Sequence, residues 1–282
     1  MRKLGVNTWV WCSPPTDERL DELIPRIAGF GFDVVELPVE QLDDWDPSHA
    51  RDLLDAHGLG VSLCAVMPPG RELVAAPSAD VRATQDYLRR VVDVAAAVGA
   101  PVVGGPIYAS VGRTWRMSPS ERDAAYGEVA DNLAPVALHA AGAGVRLGIE
   151  PLNRFETSVV NTAAQAREIT DRVGAPALGI MLDTFHCAIE ERDLAAGVAA
   201  AGKHLVHVQV CGSDRGAPGG DNIDWPAVLA ALDAVGYTGP LCIESFTGDN
   251  ETIAVAASIW RPLAPTQDQL ATDGLAFLRS LT

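Results

Sequence analysis

The chain has 282 residues, of which 48% are hydrophobic, and it carries a formal net charge of −16 with a pI of about 4.6. The apolar content excludes a disordered protein, and the length suits a single α/β barrel. The acidic balance disfavours generic binding to nucleic-acid phosphates.

The cysteines and the amino terminus indicate a cytoplasmic protein. The five cysteines form no C-x-x-C pair, and an odd number in strand-like runs is typical of reduced, buried thiols. The first residues, MRKLGVNTWVW, run into a strand without a signal-peptide pattern. Charges interrupt the alanine-rich stretches, so we expect no membrane span.

Apolar, β-branched runs alternate along the chain with longer amphipathic stretches. Eight runs predict strands: Leu4–Trp11, Val34–Val39, Gly60–Met67, Pro101–Tyr108, Arg146–Leu152, Leu178–His186, Leu205–Cys211 and Pro240–Phe246. Five stretches predict helices: Asp17–Phe30, Ala79–Val98, Ser118–Gly142, Trp225–Val235 and Gln267–Leu281. Glycines are expected to end helices at Gly31, Gly58, Gly99, Gly144, Gly174 and Gly236.

This alternation predicts a (β/α)8 TIM barrel, one domain over residues 1–282. A doubly wound sheet that binds a dinucleotide would need a glycine-rich loop after the first strand. The chain has WCSPPT there, without a glycine, so the barrel is favoured.

Four of the predicted strands carry an oxygen-bearing side chain toward their carboxyl end: Glu150, Asp183, Gln209 and Glu244. A carboxylate in such a place needs a partner, and the recurrence indicates one shared partner. Oxygen ligands suit a hard divalent cation, with Mn²⁺ expected first and Mg²⁺ or Co²⁺ as alternatives. Because the loops after barrel strands form the active site, the four positions agree with the predicted fold.

The segments around these residues carry a resemblance to a known family. They read IEPLNRFET at Ile149–Thr157, LDTFH at Leu182–His186, HVQVCGSDRG at His207–Gly216 and IESF at Ile243–Phe246. Together they resemble the sugar-phosphate isomerase/epimerase superfamily of xylose-isomerase-like barrels, and within it the D-tagatose and D-psicose 3-epimerases. The likeness extends from the opening strand to Trp260–Arg261. It implies a metal-dependent isomerase that acts on a sugar.

The resemblance also implies roles for individual residues. Glu150, Asp183 and Glu244 match metal-binding carboxylates. Glu150 and Glu244 match, in addition, two acid/base residues on opposite faces of the sugar. Substrate contacts are implied for Glu156 and His186 at the carbonyl end, for Arg215, and for Trp11 and Phe246 around the distal carbons.

Gln209 departs from the epimerase pattern, which usually has a histidine at this position. An amide oxygen can still bind Mn²⁺ or Mg²⁺. Hydroxypyruvate isomerases of the same superfamily look similar here, with H-x-Q. His207 lies two residues earlier and is expected on the same strand face, either as a substrate contact or as a group that supports a ligand.

The chemistry of these groups suits proton removal beside a ketone. A divalent cation on the carbonyl and the adjacent hydroxyl stabilises the enediolate, and a carboxylate takes the proton. Two bases on opposite faces can invert the carbon, whereas one base returns the proton to the same face or to a neighbouring carbon. We therefore expect a ketose 3-epimerase for free monosaccharides. The alternatives are a hydroxypyruvate-type or aldose–ketose isomerase, or a keto-sugar or inosose isomerase, with the same site.

Other interpretations stay open at this point. A nuclease like endonuclease IV would need more histidines and a basic groove. A sugar-binding barrel without catalysis would follow if Gln209 disabled the metal site. Asp183 is also typical of a helix cap, and Arg215 of a loop residue paired with Asp214 or Asp221. The expected partner is a small sugar, with neither nucleic acid nor membrane, in a homodimer or homotetramer.

Overall fold

Eight parallel strands close into a barrel in the computed structural model, which describes residues 2–281. In chain order the strands are β1 (Leu4–Asn7), β2 (Val34–Val39), β3 (Gly60–Ala65), β4 (Val102–Gly105), β5 (Arg146–Ile149), β6 (Leu178–Asp183), β7 (Leu205–Val210) and β8 (Leu241–Ile243). Neighbours in sequence are neighbours in the sheet, and β1 pairs with β8 to complete the ring. The predicted TIM barrel is confirmed.

The helices surround this barrel. They are α1 (Asp17–Phe30), α2 (Pro47–His57), α3 (Ser78–Val98), α4 (Pro119–Ala143), α5 (Ala163–Val173), α6 (Thr184–Glu190), α7 (Leu194–Ala201), α8 (Trp225–Ala234), α9 (Glu251–Ala256) and α10 (Gln267–Leu281). All five predicted helices are present, with ends within a residue of those predicted. Five others were not predicted, although Gly58 and Gly174 correctly marked the ends of α2 and α5.

Several helix starts are fixed by side chains. Ser118 and Glu121 form a reciprocal capping box at α4, and Thr162 and Gln165 form another at α5. Such caps satisfy amide groups that the first helical turn leaves without partners. They fix where each loop ends, and so they help to position the loops at the carboxyl end of the barrel.

Seven of the eight predicted strands extend one to four residues beyond the observed carboxyl end, and three of them illustrate the difference. The run from Leu4 stops at Asn7, whose Oδ1 accepts from the amide of Trp9 at 2.9 Å and starts a 3-10 turn. The run from Leu178 stops at Asp183, which caps α6 in the same way, so that His186 lies on a helix. The last strand is hydrogen-bonded over Leu241–Ile243 only. Each apolar run continues into a buried turn, helix or loop, and hydrophobic periodicity does not separate these from the strand.

Glycines make room for a large side chain inside the barrel. A Cβ built on Gly104 of β4 would lie 2.0 Å from Sδ of Met181, and one on Gly148 of β5 would lie 3.0 Å from its Cβ. Met181 of β6 is fully buried. This pairing of small and large residues fills the interior beneath the strand ends, as close packing requires.

Among residues 2–281, none of the helices combines the length and the apolar character that crossing a bilayer requires.

Gly104→Ala is expected to lower the free energy of unfolding by about 1–3 kcal/mol, because the new methyl group overpacks the barrel against Met181. Chemical denaturation monitored by circular dichroism measures this. Gly29→Ala on α1 is the control, since a Cβ there meets nothing within 4 Å. It should be stabilising by about 0.5–1 kcal/mol. Equal stability of the two variants would contradict the packing account.

Candidate active site

The four predicted oxygen donors lie at the carboxyl ends of the last four strands. Glu150 directly follows β5, Asp183 ends β6, Gln209 lies in β7, and Glu244 directly follows β8. Asp183 and Gln209 are register partners across β6 and β7. All four side chains are buried. Parallel strands end at the same rim of the barrel, and this brings residues distant in sequence into one site.

Asp183 has two separate functions in this arrangement. Its Oδ1 caps α6 by accepting from the amide of Phe185 at 2.9 Å, while its Oδ2 accepts a hydrogen bond from Nη1 of Arg215. The capping and ligand interpretations of Asp183 are therefore compatible. Ligand atoms of Glu150, Asp183 and His186 lie within 4.8 Å of one another, close enough to share a cation.

Arg215 supplies positive charge to the acidic cluster. Its Nη1 donates to Asp183 and, at 2.8 Å, to Oε2 of Glu244, while Nη2 lies 3.0 Å from Nε2 of His186. The guanidinium stacks over the rings of Phe185 and Phe246, at 4.2 and 5.2 Å from their centroids. The side chain is buried, so its partners are the site carboxylates rather than the loop acids Asp214 or Asp221.

Two of the carboxyl groups hold protons more readily than free glutamates. Burial raises the pKa of Glu150 well above its ordinary value, and the charges of Glu244 and Asp183 raise it further. Burial also raises the pKa of Glu244; Arg215 opposes this shift, but Asp183 and Glu36 add to it. Carboxyl groups with raised pKa values are suited to accept and return protons near neutral pH.

Asp183 behaves differently because it is closest to positive charge. Burial alone would raise its pKa, but the charge of Arg215, the His186 ring and the amide of Phe185 hold the pKa below its ordinary value. The charged form of Asp183 is therefore favoured, in contrast to Glu150 and Glu244.

Both ring nitrogens of His186 face hydrogen-bond donors. The backbone amide of Asn153 donates to Nδ1 at 3.1 Å, and the guanidinium of Arg215, which can only donate, lies 3.0 Å from Nε2. Nε2 lies 3.6 Å from carboxylate oxygens of both Glu150 and Asp183. Burial and the Arg215 charge lower the pKa of His186 to about 3, so the ring is neutral.

Glu156 belongs to the same edge of the site. Its Oε1 accepts from Nδ2 of Asn153 at 2.7 Å, and burial raises its pKa. Asn153 therefore links Glu156 to His186. The role of Asn153 was not predicted from the sequence, although Asn153 lies inside the segment that carries the family resemblance.

Gln209 connects the site to a second acidic group beneath it. Its Nε2 donates to Oε1 of Glu244 at 2.8 Å and to Oε1 of Glu36, on β2, at 2.6 Å. Glu36 was missed in the sequence analysis, although an acid inside the apolar run VVELPV was a signal that it has a buried partner.

His207 is fully buried and its Nε2 donates to Oε2 of Glu36. This placement favours the interpretation of His207 as a supporting group over that of a substrate contact. His207 and Gln209 both reach Glu36, which agrees with the prediction that they share one face of β7.

The prediction for Trp11 needs a correction. Its Nε1 donates to Asp268 of α10 at 2.8 Å, and its ring stacks on Phe30 of α1, away from Phe246. Trp9 takes the expected place instead, with its ring centroid 5.3 Å from that of Phe246. A continued strand would place both tryptophans on one face, but the 3-10 turn after Asn7 gives them different ring partners.

The residues present fit a divalent cation. Glu150 and Asp183 offer carboxylate oxygens within one buried group, and the buried carboxyl group of Glu244 is joined to Asp183 through Arg215. The amide oxygen of Gln209, also buried, has no hydrogen-bond partner, although such atoms nearly always have one. An oxygen-only donor set of this kind matches the preference of Mg²⁺ and Mn²⁺.

The sequence matches the Xylose isomerase-like TIM barrel family over residues 24–281. The chain belongs to this family. A probable ketose 3-epimerase of Synechocystis sp. is 32% identical and aligns over 98% of this chain and 96% of its own. The ketose 3-epimerase of Arthrobacter globiformis is 30% identical, again over 98% of this chain and 96% of its own.

A solved structure extends the comparison. The D-allulose 3-epimerase of Methylomonas sp. in complex with D-allulose is 27% identical and superposes with a TM-score of 0.90, covering 100% of this chain and 98% of that one. The predicted family and the predicted enzyme class, an isomerase, are confirmed by these relatives.

Arg215→Met should lower the free energy of unfolding of the metal-free protein by about 3–5 kcal/mol, because it leaves buried carboxylates without their counter-charge. Thermal and urea unfolding in the presence of a chelator measure this. Arg261→Met is the control, since Arg261 pairs with Asp214 on the surface and its loss should cost less than about 1 kcal/mol. A loss for Arg215→Met as small as the control's would contradict the assignment of Arg215 as counter-ion.

Proposed function

We propose that this enzyme is a ketose 3-epimerase that acts on free monosaccharides and uses a divalent cation. The observation that carries the proposal is the pair of buried glutamates, Glu150 and Glu244, whose raised pKa values suit proton exchange. They follow β5 and β8, so they approach the same site from different strands. The names of two full-length relatives, both ketose 3-epimerases, support the same reaction.

Glu150, Asp183, Gln209 and Glu244 would hold the cation. We propose Mn²⁺, with Mg²⁺ or Co²⁺ as alternatives, because the donors are all oxygens. When bound, the cation would stabilise the negative charge that develops on the carbonyl oxygen of the sugar and on its neighbouring hydroxyl. The positive charge of a cation would also suit the three buried acids, because Arg215 forms ion pairs with only two of them, Asp183 and Glu244.

The two glutamates would carry the proton. One carboxylate accepts the proton from C3, and the carboxyl group of the other donates a proton to the opposite face of the same carbon. The base must retain an oxygen that is free of tight coordination, because a cation reduces the basicity of the carboxylate it binds. The hydrogen bond from Gln209 to Glu244 Oε1 and that from Arg215 to Oε2 fix the orientation of this carboxyl group.

The remaining groups would position the sugar. Nε2 of His186 would face the carbonyl end of the sugar together with Arg215, since Asn153 occupies the opposite ring nitrogen. Glu156 is held beside it by the same asparagine and can accept from a sugar hydroxyl. Phe246 and Trp9 form an apolar wall on the β8 side of the site, where they would exclude water from the distal carbons.

A second candidate reaction rests on Gln209. Hydroxypyruvate isomerases resemble this chain at that position, so a hydroxypyruvate-type or aldose–ketose isomerase, or an isomerase of keto-sugars or inososes, would use the same proton acceptors. The reactions differ in which carbon exchanges its proton. Exchange at C3 identifies the epimerase, and transfer between C1 and C2 identifies the isomerase.

The test is a panel of D-fructose, D-psicose and D-tagatose incubated with the enzyme and Mn²⁺ in D₂O, with NMR detection. We expect the C3 epimer together with deuterium at C3. Glu150→Gln should slow the reaction by about 10²–10⁴-fold through loss of a proton-transfer group. Glu18→Gln, an exposed change on α1, should leave the rate unaltered. The absence of both epimer and C3 deuterium with every ketose would refute the proposal.

A further inference from the structure

We propose that Glu36 is a positioning residue that turns the amide oxygen of Gln209 toward the cation. Glu36 lies on β2, on the opposite side of the barrel from β6 in strand order, and belongs to neither the predicted ligands nor the predicted substrate contacts. The inference rests on the proposed function, because it requires a cation at the four oxygen donors.

The hydrogen bonds of Gln209 decide which end of its amide faces which neighbour. Nε2 lies 2.6 Å from Oε1 of Glu36 and 2.8 Å from Oε1 of Glu244. The Glu36 carboxylate accepts from Asn7, Ser62 and His207 and has no hydrogen to donate, whereas an amide has its two donors on nitrogen. The NH₂ group must therefore face the two acids, and each of its hydrogens has one partner.

This orientation leaves the amide oxygen available. Oε1 of Gln209 is buried and has no hydrogen-bond partner, a state that is unfavourable for a buried polar atom. A cation among the neighbouring carboxylates would give this oxygen a partner. Binding of the cation would satisfy the lone pairs of this buried oxygen and remove that energetic penalty.

Glu36 is itself held by three further donors. Asn7 donates to its Oε1 at 3.0 Å, Ser62 donates to its Oε2 at 3.1 Å, and His207 donates to Oε2 from the other side. All of these side chains are buried in the barrel interior. Together they fix the carboxylate that Gln209 must meet.

Removal of Glu36 would favour the opposite orientation of the Gln209 side-chain amide. In Glu36→Leu, the donors of Asn7, Ser62 and His207 lose their acceptor, and each of them would attract the oxygen of Gln209 into the barrel. Glu36→Gln should preserve the orientation, since its amide oxygen can face Gln209 and Asn7. Its NH₂ group would then meet Ser62 and His207, which can both accept.

The experiment is a double-mutant cycle on Mn²⁺ affinity, measured by titration with electron paramagnetic resonance. Glu36→Leu and Gln209→Leu should each weaken Mn²⁺ binding by about 10–100-fold, the usual effect of losing a group that orients a ligand. The double variant should bind no more weakly than the weaker single variant, because both changes remove the same oxygen. Glu36→Gln should bind close to wild type.

Ser62→Ala is the matched control, since Ser62 contacts the Oε2 side of Glu36 and not Gln209. It should weaken Mn²⁺ binding far less than Glu36→Leu does, because Asn7 and His207 still hold the Glu36 carboxylate. Thermal unfolding of each metal-free variant separates loss of folding from loss of affinity. If Glu36→Leu does not fold, Glu36→Asp replaces it in the cycle, because the shorter side chain withdraws the acceptor but keeps the charge.

Unchanged affinity in Glu36→Leu, or losses that multiply in the double variant, would overturn the inference. If either result accompanies Mn²⁺ binding and C3 exchange by the wild-type enzyme, the proposed function stands and only the role of Glu36 fails. A wild-type protein that does not bind Mn²⁺ would overturn both.

Discussion

The concentration of buried carboxylates at one end of the barrel is the constraint on which the site depends. Glu150, Asp183 and Glu244 meet there, and burial opposes the charge of each. Arg215 reaches two of them, Asp183 and Glu244, through one nitrogen. Oε1 of Glu150 lies 3.6 Å from Nε2 of His186, whose ring is neutral and supplies no counter-charge. The site therefore holds more negative charge than Arg215 neutralises, and a divalent cation would neutralise the remainder.

The same constraint explains why supporting residues reach so deep into the barrel. Gln209 uses both amide hydrogens on acids, one in the site and one beneath it. Glu36 is stabilised by His207, and Asp183 is stabilised by the start of α6. Each acid is thus fixed by groups on at least one other element. These contacts restrict the side-chain conformations of the carboxylates and hold them in place before a substrate binds.

Much of the site was predictable because parallel strands end at one rim. An acid or amide at the end of four successive apolar runs was enough to place Glu150, Asp183, Gln209 and Glu244 together. Glu36 was not predictable in the same way, because it is 173 residues from Gln209 and their contact exists only once the barrel closes. The hydrophobic pattern identifies which face a residue occupies, but it does not identify the partner across the barrel.

Local turns account for the other differences. Trp9 and Trp11 could be distinguished only through the Asn7 cap, which replaces the alternation of a strand with a 3-10 turn. His186 was placed on a strand because the run from Leu178 stays apolar past the point where Asp183 starts a helix. Helix α7, LAAGVAAA, has too uniform an apolar composition to show a helical period.

The most direct measurement of the central claim is anomalous diffraction at the manganese edge from crystals grown with Mn²⁺. The account predicts one strong peak at the rim of β5–β8, about 2.2 Å from oxygens of Glu150, Asp183, Gln209 and Glu244, between the distances typical of Mg²⁺ and Ca²⁺. Arg215 should then have withdrawn from at least one of its two carboxylates. A rim without a peak, or a peak coordinated by other residues while Arg215 keeps both contacts, would contradict it.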